Sequence, residues 1–238
     1  MAIYALADLH LCLSCPDKSM SVFGPAWENY VSRIKENWEN MVTAEDTVLI
    51  PGDISWATYL EDAEEDFRYI AELPGRKLIC RGNHDYWWTT IKKMEDYFET
   101  KGFTGIGVIR TNVIEAEDCL ISGTRGWMIE TKESLEGSDN QKIYQREKLR
   151  IQMCIDKLNE ADPDHQKKHI LMIHYPPVTA RRDFTEFAEI MALGGIDTCV
   201  YGHLHGTAHK KAFEGDLNGT RFVCAAADFV GFKPVKIV

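Results

Sequence analysis

The predicted fold depends most on one stretch of the chain, Lys77-Leu-Ile-Cys-Arg-Gly-Asn-His-Asp-Tyr-Trp-Trp88. Its apolar first half predicts a buried strand, and Gly82 then ends that strand. An amide, an imidazole and a carboxylate follow at once, from Asn83, His84 and Asp85. Because α/β sheets present their ligands at the carboxyl ends of strands, we expect these three groups there. Taken alone, the stretch is equally compatible with a polar loop after a strand.

Four other predicted strand ends carry polar residues of the same kinds. Each follows a short apolar run, so a sheet would bring all of them to one edge although they are far apart in sequence. These residues are Asp8 with His10, Asp53, His174, and His203 with His205. The histidines elsewhere in the chain, His165, His169 and His209, are expected to be ordinary core or loop residues.

The side chains at these strand ends predict a metal site. Carboxylate, amide and imidazole groups, with no thiolate among them, suit a hard or borderline divalent cation. With His84 set aside, seven such residues remain, which exceed the three or four ligands of a catalytic zinc ion. Seven ligands suit two ions about 3.5–4 Å apart, an arrangement that activates water and holds a phosphoryl group.

The surrounding sequence predicts alternating helices and strands. Apolar residues at spacings of three and four predict helices at 26–41, 58–73, 89–101, 144–161 and 184–193. Short apolar runs predict further strands at 3–7, 47–50, 108–114, 119–122, 169–173, 198–201, 222–227 and 234–238. Strands and helices alternate early and strands dominate late, which predicts α/β layers with a sheet that is not purely parallel. No stretch reads as a linker, so we expect residues 1–238 to form a single domain.

Composition limits the partners of the protein. The formal net charge of −10 would repel a long polyanion, which argues against extended nucleic acid as a partner. A small anionic substrate remains compatible with this charge if a bound cation attracts it. No apolar stretch approaches the roughly 20 residues needed to cross a bilayer, and the N-terminal run stops at Asp8 without a basic region before it. We therefore expect no membrane partner and a cytoplasmic location.

The chain has seven cysteines, most of them within apolar runs, where a free thiol behaves as a small hydrophobic group. Cys12 and Cys15 form a C-x-x-C pair. Without a second pair at zinc-binding spacing, a structural metal or redox role for these two residues is disfavoured, and their role stays open.

The motifs occur in a definite order along the chain: D-x-H, G-D, G-N-H-D, H and G-H-x-H. This ordered set resembles the calcineurin-like metallophosphoesterase superfamily, and the likeness runs from Asp8 to His205. The resemblance implies a four-layer α/β/β/α sandwich, in which two mixed β-sheets lie face to face and two divalent ions sit at one sheet edge. The implied ligands are Asp8, His10 and His205 for the first metal, Asn83, His174 and His203 for the second, and Asp53 as a bridge.

The resemblance also implies a mechanism, in which a metal-bridging hydroxide attacks phosphorus in line. His84 would face the substrate phosphate and leaving group instead of binding metal, and would protonate the departing alkoxide. Asp85 would hydrogen-bond to His84, fix its tautomer and favour the imidazolium. The ions would be drawn from Mn, Fe, Zn, Co or Ni, with Mn favoured.

Two departures from the family pattern bear on the substrate. Phosphoprotein phosphatases of the superfamily carry G-D-x-x-D-R-G, whereas residues 52–58 read G-D-I-S-W-A-T, which argues against a protein serine/threonine phosphatase. Many phosphodiesterase-like members have a second histidine where this chain has Tyr175.

Arg125 is a candidate substrate-binding residue, as is the pair Arg181-Arg182, with surface salt bridges as the plainer alternative. Trp56, Tyr86, Trp87, Trp88 and Trp127 would either stack on a substrate or belong to the core, and burial is favoured.

The favoured function is hydrolysis of a small phosphodiester or nucleotide-like molecule. A phosphomonoesterase and a nuclease are the alternatives within the same chemistry. A non-catalytic metal-binding interaction scaffold is the alternative outside it, but such a scaffold usually loses ligands or the catalytic histidine. This chain has all seven candidate ligands and the candidate catalytic histidine, His84. The oligomeric state is not predicted.

Overall fold

Short, almost fully buried strands form the centre of the molecule, as the apolar runs predict. The computed structural model describes residues 1–14, 20, 24–128, 139–179, 181 and 185–238. Within these residues, one sheet contains β1 (Ile3–Ala5), β2 (Thr47–Pro51), β3 (Arg76–Cys80), β4 (Ile106–Val108) and β11 (Val235–Lys236), in the order β11-β1-β2-β3-β4. Strands β1 to β4 are parallel, and β11 pairs with β1 in the antiparallel sense.

The second sheet is also mixed. It contains β5 (Ile114–Ala116), β6 (Cys119–Thr124), β7 (Lys168–Ile173), β8 (Thr198–Tyr201), β9 (Gly215–Leu217) and β10 (Thr220–Cys224), in the order β5-β6-β7-β8-β10-β9. The four central strands are parallel, whereas β5 and β9 are antiparallel to their neighbours at the two edges.

Amphipathic helices cover the outer faces of both sheets. The helices α1 (Tyr30–Met41), α2 (Glu64–Glu72) and α3 (Ile91–Lys101) contribute to an apolar cluster with the first sheet. The helices α4 (Asp139–Ala161) and α5 (Glu186–Leu193) do the same on the second sheet. Short 3-10 helices lie at Pro25–Trp27, Glu61–Ala63 and Gly206–Lys211. None of the described helices is both long and apolar enough to span a bilayer.

A third apolar cluster lies between the two sheets. It joins residues of β1, β2 and β3, such as Leu49 and Leu78, to residues of β6, β7 and β8, such as Ile121, Met172 and Val200. Three clusters separating four layers are the signature of an α/β/β/α sandwich. The predicted four-layer fold with two mixed sheets is therefore confirmed.

One predicted strand is wrong. Residues 108–114 were expected to form a single strand, but they leave the first sheet at Val108 and enter the second at Ile114. Between them the chain turns at Thr111, whose φ is 61°, and the side chain of Asn112 accepts a hydrogen bond from the backbone N–H of Arg110 at 2.6 Å. This local hydrogen bond gives the backbone an alternative to the sheet. The short edge strand β9 was not predicted.

Helix boundaries also differ from the sequence pattern. Helix α1 begins at Tyr30 instead of residue 26, because Asn29 has a left-handed φ of 52° that a continuous helix does not allow. Helix α2 begins at Glu64, after a 3-10 turn. Helix α4 begins five residues before the predicted start at Tyr144. Of the C-x-x-C pair, Cys12 is half-buried and Cys15 lies outside the described residues.

Candidate metal centre

The predicted site residues follow the carboxyl ends of parallel strands in both sheets. In the first sheet, Asp8 and His10 follow β1, Asp53 follows β2, and Asn83, His84 and Asp85 follow β3. In the second sheet, His174 follows β7, and His203 and His205 follow β8. The sheets lie face to face, so these strand ends meet in one place. Two groups of three side chains, Asp8 with His10 and His205, and Asp8 with Asp53 and His174, have ligand atoms within 4.8 Å of one another.

Several of these residues have a strained backbone. The φ angles of Asp8, His10, Asp53 and His203 are 58°, 44°, 52° and 74°, in the left-handed region that side chains disfavour. Backbone hydrogen bonds hold the turns in place: the N–H of Asp8 donates to the carbonyl of Gly52 at 3.0 Å, and that of His10 to the carbonyl of Asp53 at 2.9 Å. Such conformations persist where the surrounding structure imposes them, and they cluster at functional sites.

Two glycines allow the backbone to approach the carboxylates closely. A Cβ atom on Gly82 would lie 2.1 Å from Oδ1 of Asp53, and one on Gly202 would lie 2.2 Å from Oδ2 of Asp8. Both distances are far below van der Waals contact. The motifs G-N-H-D and G-H-x-H therefore require glycine for a steric reason, because only a residue without a side chain fits beside each carboxylate.

The first group of ligand atoms surrounds Asp8. Nε2 of His10 and Nε2 of His205 are 3.2 Å apart, and Nε2 of His205 is 3.5 Å from Oδ1 of Asp8. The backbone N–H of His203 donates to both oxygens of Asp8, at 3.1 and 2.9 Å. Two imidazole nitrogens and a carboxylate thus point at one small volume.

The second group surrounds Asn83. Its Oδ1 lies 2.7 Å from Nε2 of His174 and 3.0 Å from Nδ1 of His203, and those two nitrogens are 3.2 Å apart. Asp53 lies between the two groups, because its Oδ2 is 3.4 Å from Nε2 of His174 and 3.8 Å from Nε2 of His10.

The electrostatics of the site fit divalent cations. Burial and the charge of Asp8 raise the pKa of Asp53 to about 8, so without a cation the two neighbouring carboxylates do not both ionise at neutral pH. Burial lowers the pKa values of His10 and His203 to about 3, which keeps both rings neutral with a lone pair available. Buried oxygen and neutral nitrogen donors converging on shared points are the set that a Mn-type or Zn-type ion accepts.

The sequence model of the family described as calcineurin-like phosphoesterase matches residues 1–207. The chain belongs to this family. As a calcineurin-like phosphoesterase, it is a metal-dependent phosphohydrolase.

Two solved structures share the fold of this phosphoesterase. One is a protein of unknown function, AQ665 from Aquifex aeolicus, with 17% identity and a TM-score of 0.50, covering 99% of this chain and 95% of that one. The other is the phosphopantetheinyl hydrolase PptH from Mycobacterium tuberculosis, with 12% identity and a TM-score of 0.56, covering 100% and 95%. At these identities the likeness shows the fold alone. No curated protein sequence matches the chain significantly.

Asp228 belongs to the site of this phosphoesterase and was not predicted. Its Oδ1 accepts a hydrogen bond from Nδ1 of His205 at 2.8 Å, and its Oδ2 lies 3.1 Å from Nε2 of His209. Although burial opposes it, these contacts with Asp228 and Asp8 raise the pKa of His205 to about 10. A carboxylate that follows the apolar end of β10, in the sequence A-A-A-D, was the available signal.

The predicted hydrogen bond between Asp85 and His84 is wrong. The buried carboxylate of Asp85 instead accepts from the backbone N–H groups of Asp53, Ile54 and Gly82, at 2.9, 2.8 and 2.7 Å, and from the indole of Trp87 at 3.1 Å. Within the described part of the chain, Nδ1 of His84 has no hydrogen-bond partner. Asp85 therefore ties together the loops after β2 and β3, which positions Asp53.

His84 lies beside the two ligand groups and outside both of them. Its ring centroid is 5.8 Å from that of His10 and 4.6 Å from that of Trp56, and its backbone N–H donates to Oδ1 of Asp53 at 2.8 Å. Burial, followed by the charges of His174 and His205, lowers the pKa of His84. The neutral ring is thus favoured, opposite to the predicted preference for the imidazolium.

The aromatic candidates divide between core and site. Trp87 and Trp88 are buried in the core, whereas Tyr86 is exposed. Trp56 stacks on the ring of His10, with centroids 5.0 Å apart. Tyr175 is buried against the ring of His203 at 4.3 Å. Tyr175, the departure from the family pattern, therefore lies beside a candidate metal ligand.

The candidate substrate-binding residue Arg125 lies next to the site through its backbone. Its carbonyl accepts hydrogen bonds from the N–H groups of His174 and Tyr175, at 3.0 and 3.2 Å, and its guanidinium lies 4.8 Å from the centre of the Trp127 ring. Arg181 is exposed, and Arg182 lies outside the described residues. The structure thus places Arg125 at the same strand edge as the candidate ligands.

Proposed function

We propose that this phosphoesterase uses two divalent ions, with Mn²⁺ favoured, to hydrolyse a small phosphodiester or nucleotide-like substrate. The proposed ligands are Asp8, His10 and His205 on one side, Asn83, His174 and His203 on the other, and Asp53 between them. The observation that carries the proposal is the position of Asp53, whose Oδ2 lies within 4 Å of a histidine nitrogen from each group.

Two ions held in this way would supply charge neutralisation for a phosphoryl group and an acidified water molecule. The chain itself supplies their separation, because Asp85 and Gly82 position Asp53 and the backbone N–H of His203 positions Asp8. A rigid arrangement of buried donors lowers the reorganisation needed during reaction.

His84 is the proposed catalytic residue of the protein. It is half-buried beside both ligand groups, where a ring N–H can donate to a phosphoryl oxygen or to the leaving oxygen of a bound substrate. Trp56, which lies 4.6 Å from it, restricts the orientation of the ring. Asp85 acts indirectly in this proposal, by positioning Asp53 and the backbone of the loop that carries His84.

Hydrolysis of paired chromogenic esters tests the proposal. Metal-stripped protein is refilled with Mn²⁺, its metal content is measured, and bis(p-nitrophenyl) phosphate is compared with p-nitrophenyl phosphate. We expect two ions per chain and faster turnover of the diester. Asp53→Asn, which keeps the shape of the side chain and removes its charge, should bind fewer than two ions and lose most turnover.

The alternatives give different results in the same assay. Faster turnover of the monoester identifies a phosphomonoesterase. Two bound ions without turnover of either ester contradicts the proposed activity on simple phosphodiesters and indicates a narrower substrate specificity. A single bound ion in the unaltered protein contradicts the dinuclear proposal.

A further inference from the structure

Five arginines line one cavity of about 190 Å³ at the strand edge that carries the candidate metal centre. They are Arg81, Arg110, Arg125, Arg146 and Arg150. The chain as a whole has a net charge of −10, so a concentration of cations in one place needs a specific explanation. We name this cavity, defined by its five arginines, the arginine pocket.

Two arginines of the arginine pocket lie close to candidate metal ligands along the chain or through the backbone. Arg81 follows β3 directly and stands two residues before Asn83, and Arg125 follows β6 directly. The carbonyl of Arg125 accepts the backbone N–H of His174 at 3.0 Å. Arg81 and the candidate ligand Asn83 thus follow the same strand, and Arg125 bonds to the backbone of the candidate ligand His174. This adjacency is the basis for inferring that one molecule contacts both places.

Among the residues that the structure describes, the positive charge of the pocket is only partly balanced. Across the described ranges, Glu147 is the carboxylate in ion-pair contact with these arginines: its Oε1 lies 2.5 Å from Nη1 of Arg150 and 3.8 Å from Nε of Arg146. Five guanidinium groups that line one small cavity repel one another, and an anion between them would relieve the repulsion.

One donor of the pocket also has no partner among the described residues. Nε of Arg81 is buried, and it has no hydrogen-bond partner in the part of the chain that the structure describes. A buried donor without a partner is costly, and an acceptor oxygen from a ligand would satisfy it. Guanidinium groups are planar forks that match the oxygens of a phosphate group in pairs.

We propose that the arginine pocket binds a phosphate group, and that this group is a second phosphate carried by the substrate of the metal centre. A group with up to two negative charges and three acceptor oxygens fits an excess of cations better than a carboxylate does. The cavity is several times the roughly 30 Å³ that one water molecule takes in the liquid, so a phosphate group has room. The assignment to the substrate rests on the proposed function, whereas the binding of an anion does not.

Calorimetric titration of metal-stripped protein with inorganic pyrophosphate tests the anion site without requiring activity. Arg110→Gln/Arg146→Gln removes two exposed arginines from the rim of the pocket. Arg68→Gln/Lys35→Gln removes two exposed cations of α1 and α2, so it changes the net charge equally. We expect saturable binding that the pocket variant weakens about tenfold or more and the control leaves unchanged. Absence of saturable binding, or equal affinity in all three proteins, overturns the anion site.

A second measurement identifies the source of the phosphate. Mn²⁺-loaded protein is given p-nitrophenyl alkyl phosphodiesters with short and long alkyl chains, each ending in a phosphate or in a hydroxyl. We expect the terminal phosphate at one chain length to lower KM about tenfold, with this gain lost in Arg110→Gln/Arg146→Gln while kcat is retained. Pyrophosphate binding without any gain from a terminal phosphate overturns the substrate assignment and indicates a free anion. If none of the esters is hydrolysed while pyrophosphate still binds in the pocket, the proposed function is contradicted and the anion site is not.

Discussion

The carboxylate of Asp228 holds Nδ1 of His205 at 2.8 Å, which leaves Nε2 of the same ring facing Asp8 at 3.5 Å. A carboxylate that orients a ligand histidine in this way fixes its tautomer and increases its basicity. The ligand group around Asp8 therefore depends on a residue that binds no metal in our proposal.

We expect Asp228→Asn to weaken metal binding about 10- to 100-fold, because the amide supports the imidazole less well than the carboxylate. Competition with a fluorescent chelator measures the affinity. Asp216→Asn, at an exposed position in β9, is the matched control and should leave the affinity unchanged. Equal affinities in the two variants would show that Asp228 does not support the ligand.

His84→Ala should separate metal binding from turnover. The ring lies outside both ligand groups, so we expect full metal content together with a loss of turnover of roughly 10²- to 10⁴-fold. Elemental analysis and ester hydrolysis on the same sample give the two quantities. His165→Ala, at an exposed histidine on the loop before β7, should change neither. Full activity of His84→Ala would be evidence against the proposed catalytic role.

Metal binding should release protons at neutral pH. Burial and the charge of Asp8 raise the pKa of Asp53 to about 8, and Asp228 and Asp8, against the effect of burial, raise that of His205 to about 10. Both groups therefore hold a proton at pH 7 in the metal-free protein, and a bound cation displaces it. We expect about two protons released per chain at pH 7, and affinity that increases as the pH rises from 6 to 8.

Calorimetry in buffers of different ionisation enthalpy counts these protons. His84→Ala should release the same number, because His84 is not a proposed ligand. A binding enthalpy that does not depend on the buffer would mean that neither Asp53 nor His205 loses a proton to the metal.

Gly202→Ala should disrupt the site by a steric route. The added Cβ would lie 2.2 Å from Oδ2 of Asp8 and 2.6 Å from Cβ of Ala7, both buried, so Asp8 has to move. We expect a loss of about 1–3 kcal/mol in the free energy of unfolding and a loss of metal binding. Thermal unfolding and metal content measure the two effects.

Gly219→Ala is the matched control for that steric effect. Gly219 has a φ of 90° and open space around it, so the alanine costs backbone strain of roughly 1–2 kcal/mol and leaves metal binding intact. If both variants retain their metal, the close approach of Gly202 to Asp8 is not required by the site.

The sequence predicted the fold and the set of strand-end residues well because both depend on local signals. A short apolar run that stops at a glycine or a polar residue identifies a strand end, as at Cys80 and Gly82, without knowledge of any distant residue. The break between Val108 and Ile114 gives no such local signal. Its two strands belong to different sheets, and apolar patterning does not distinguish one sheet from another.

Hydrogen-bond partners could not be predicted in the same way. Asp85 stands next to His84 in sequence, yet its carboxylate accepts from the loop after β2, because that loop approaches it with free backbone N–H groups. Asp228 reaches His205 across 23 positions of sequence. The direction in which each loop leaves its sheet decides such contacts, and that direction is a property of the packed structure.

The sequence by itself determined that this chain forms α/β layers with carboxylates, amides and histidines at successive strand ends. This is because an apolar run and the polar residues that end it are adjacent in the sequence. Only the tertiary structure decided which of these groups meet, that Asp53 lies between two sets of nitrogens, and that five arginines from four parts of the chain surround one cavity. Those arrangements arise when two sheets pack face to face, since packing brings together strand ends that are distant in the chain.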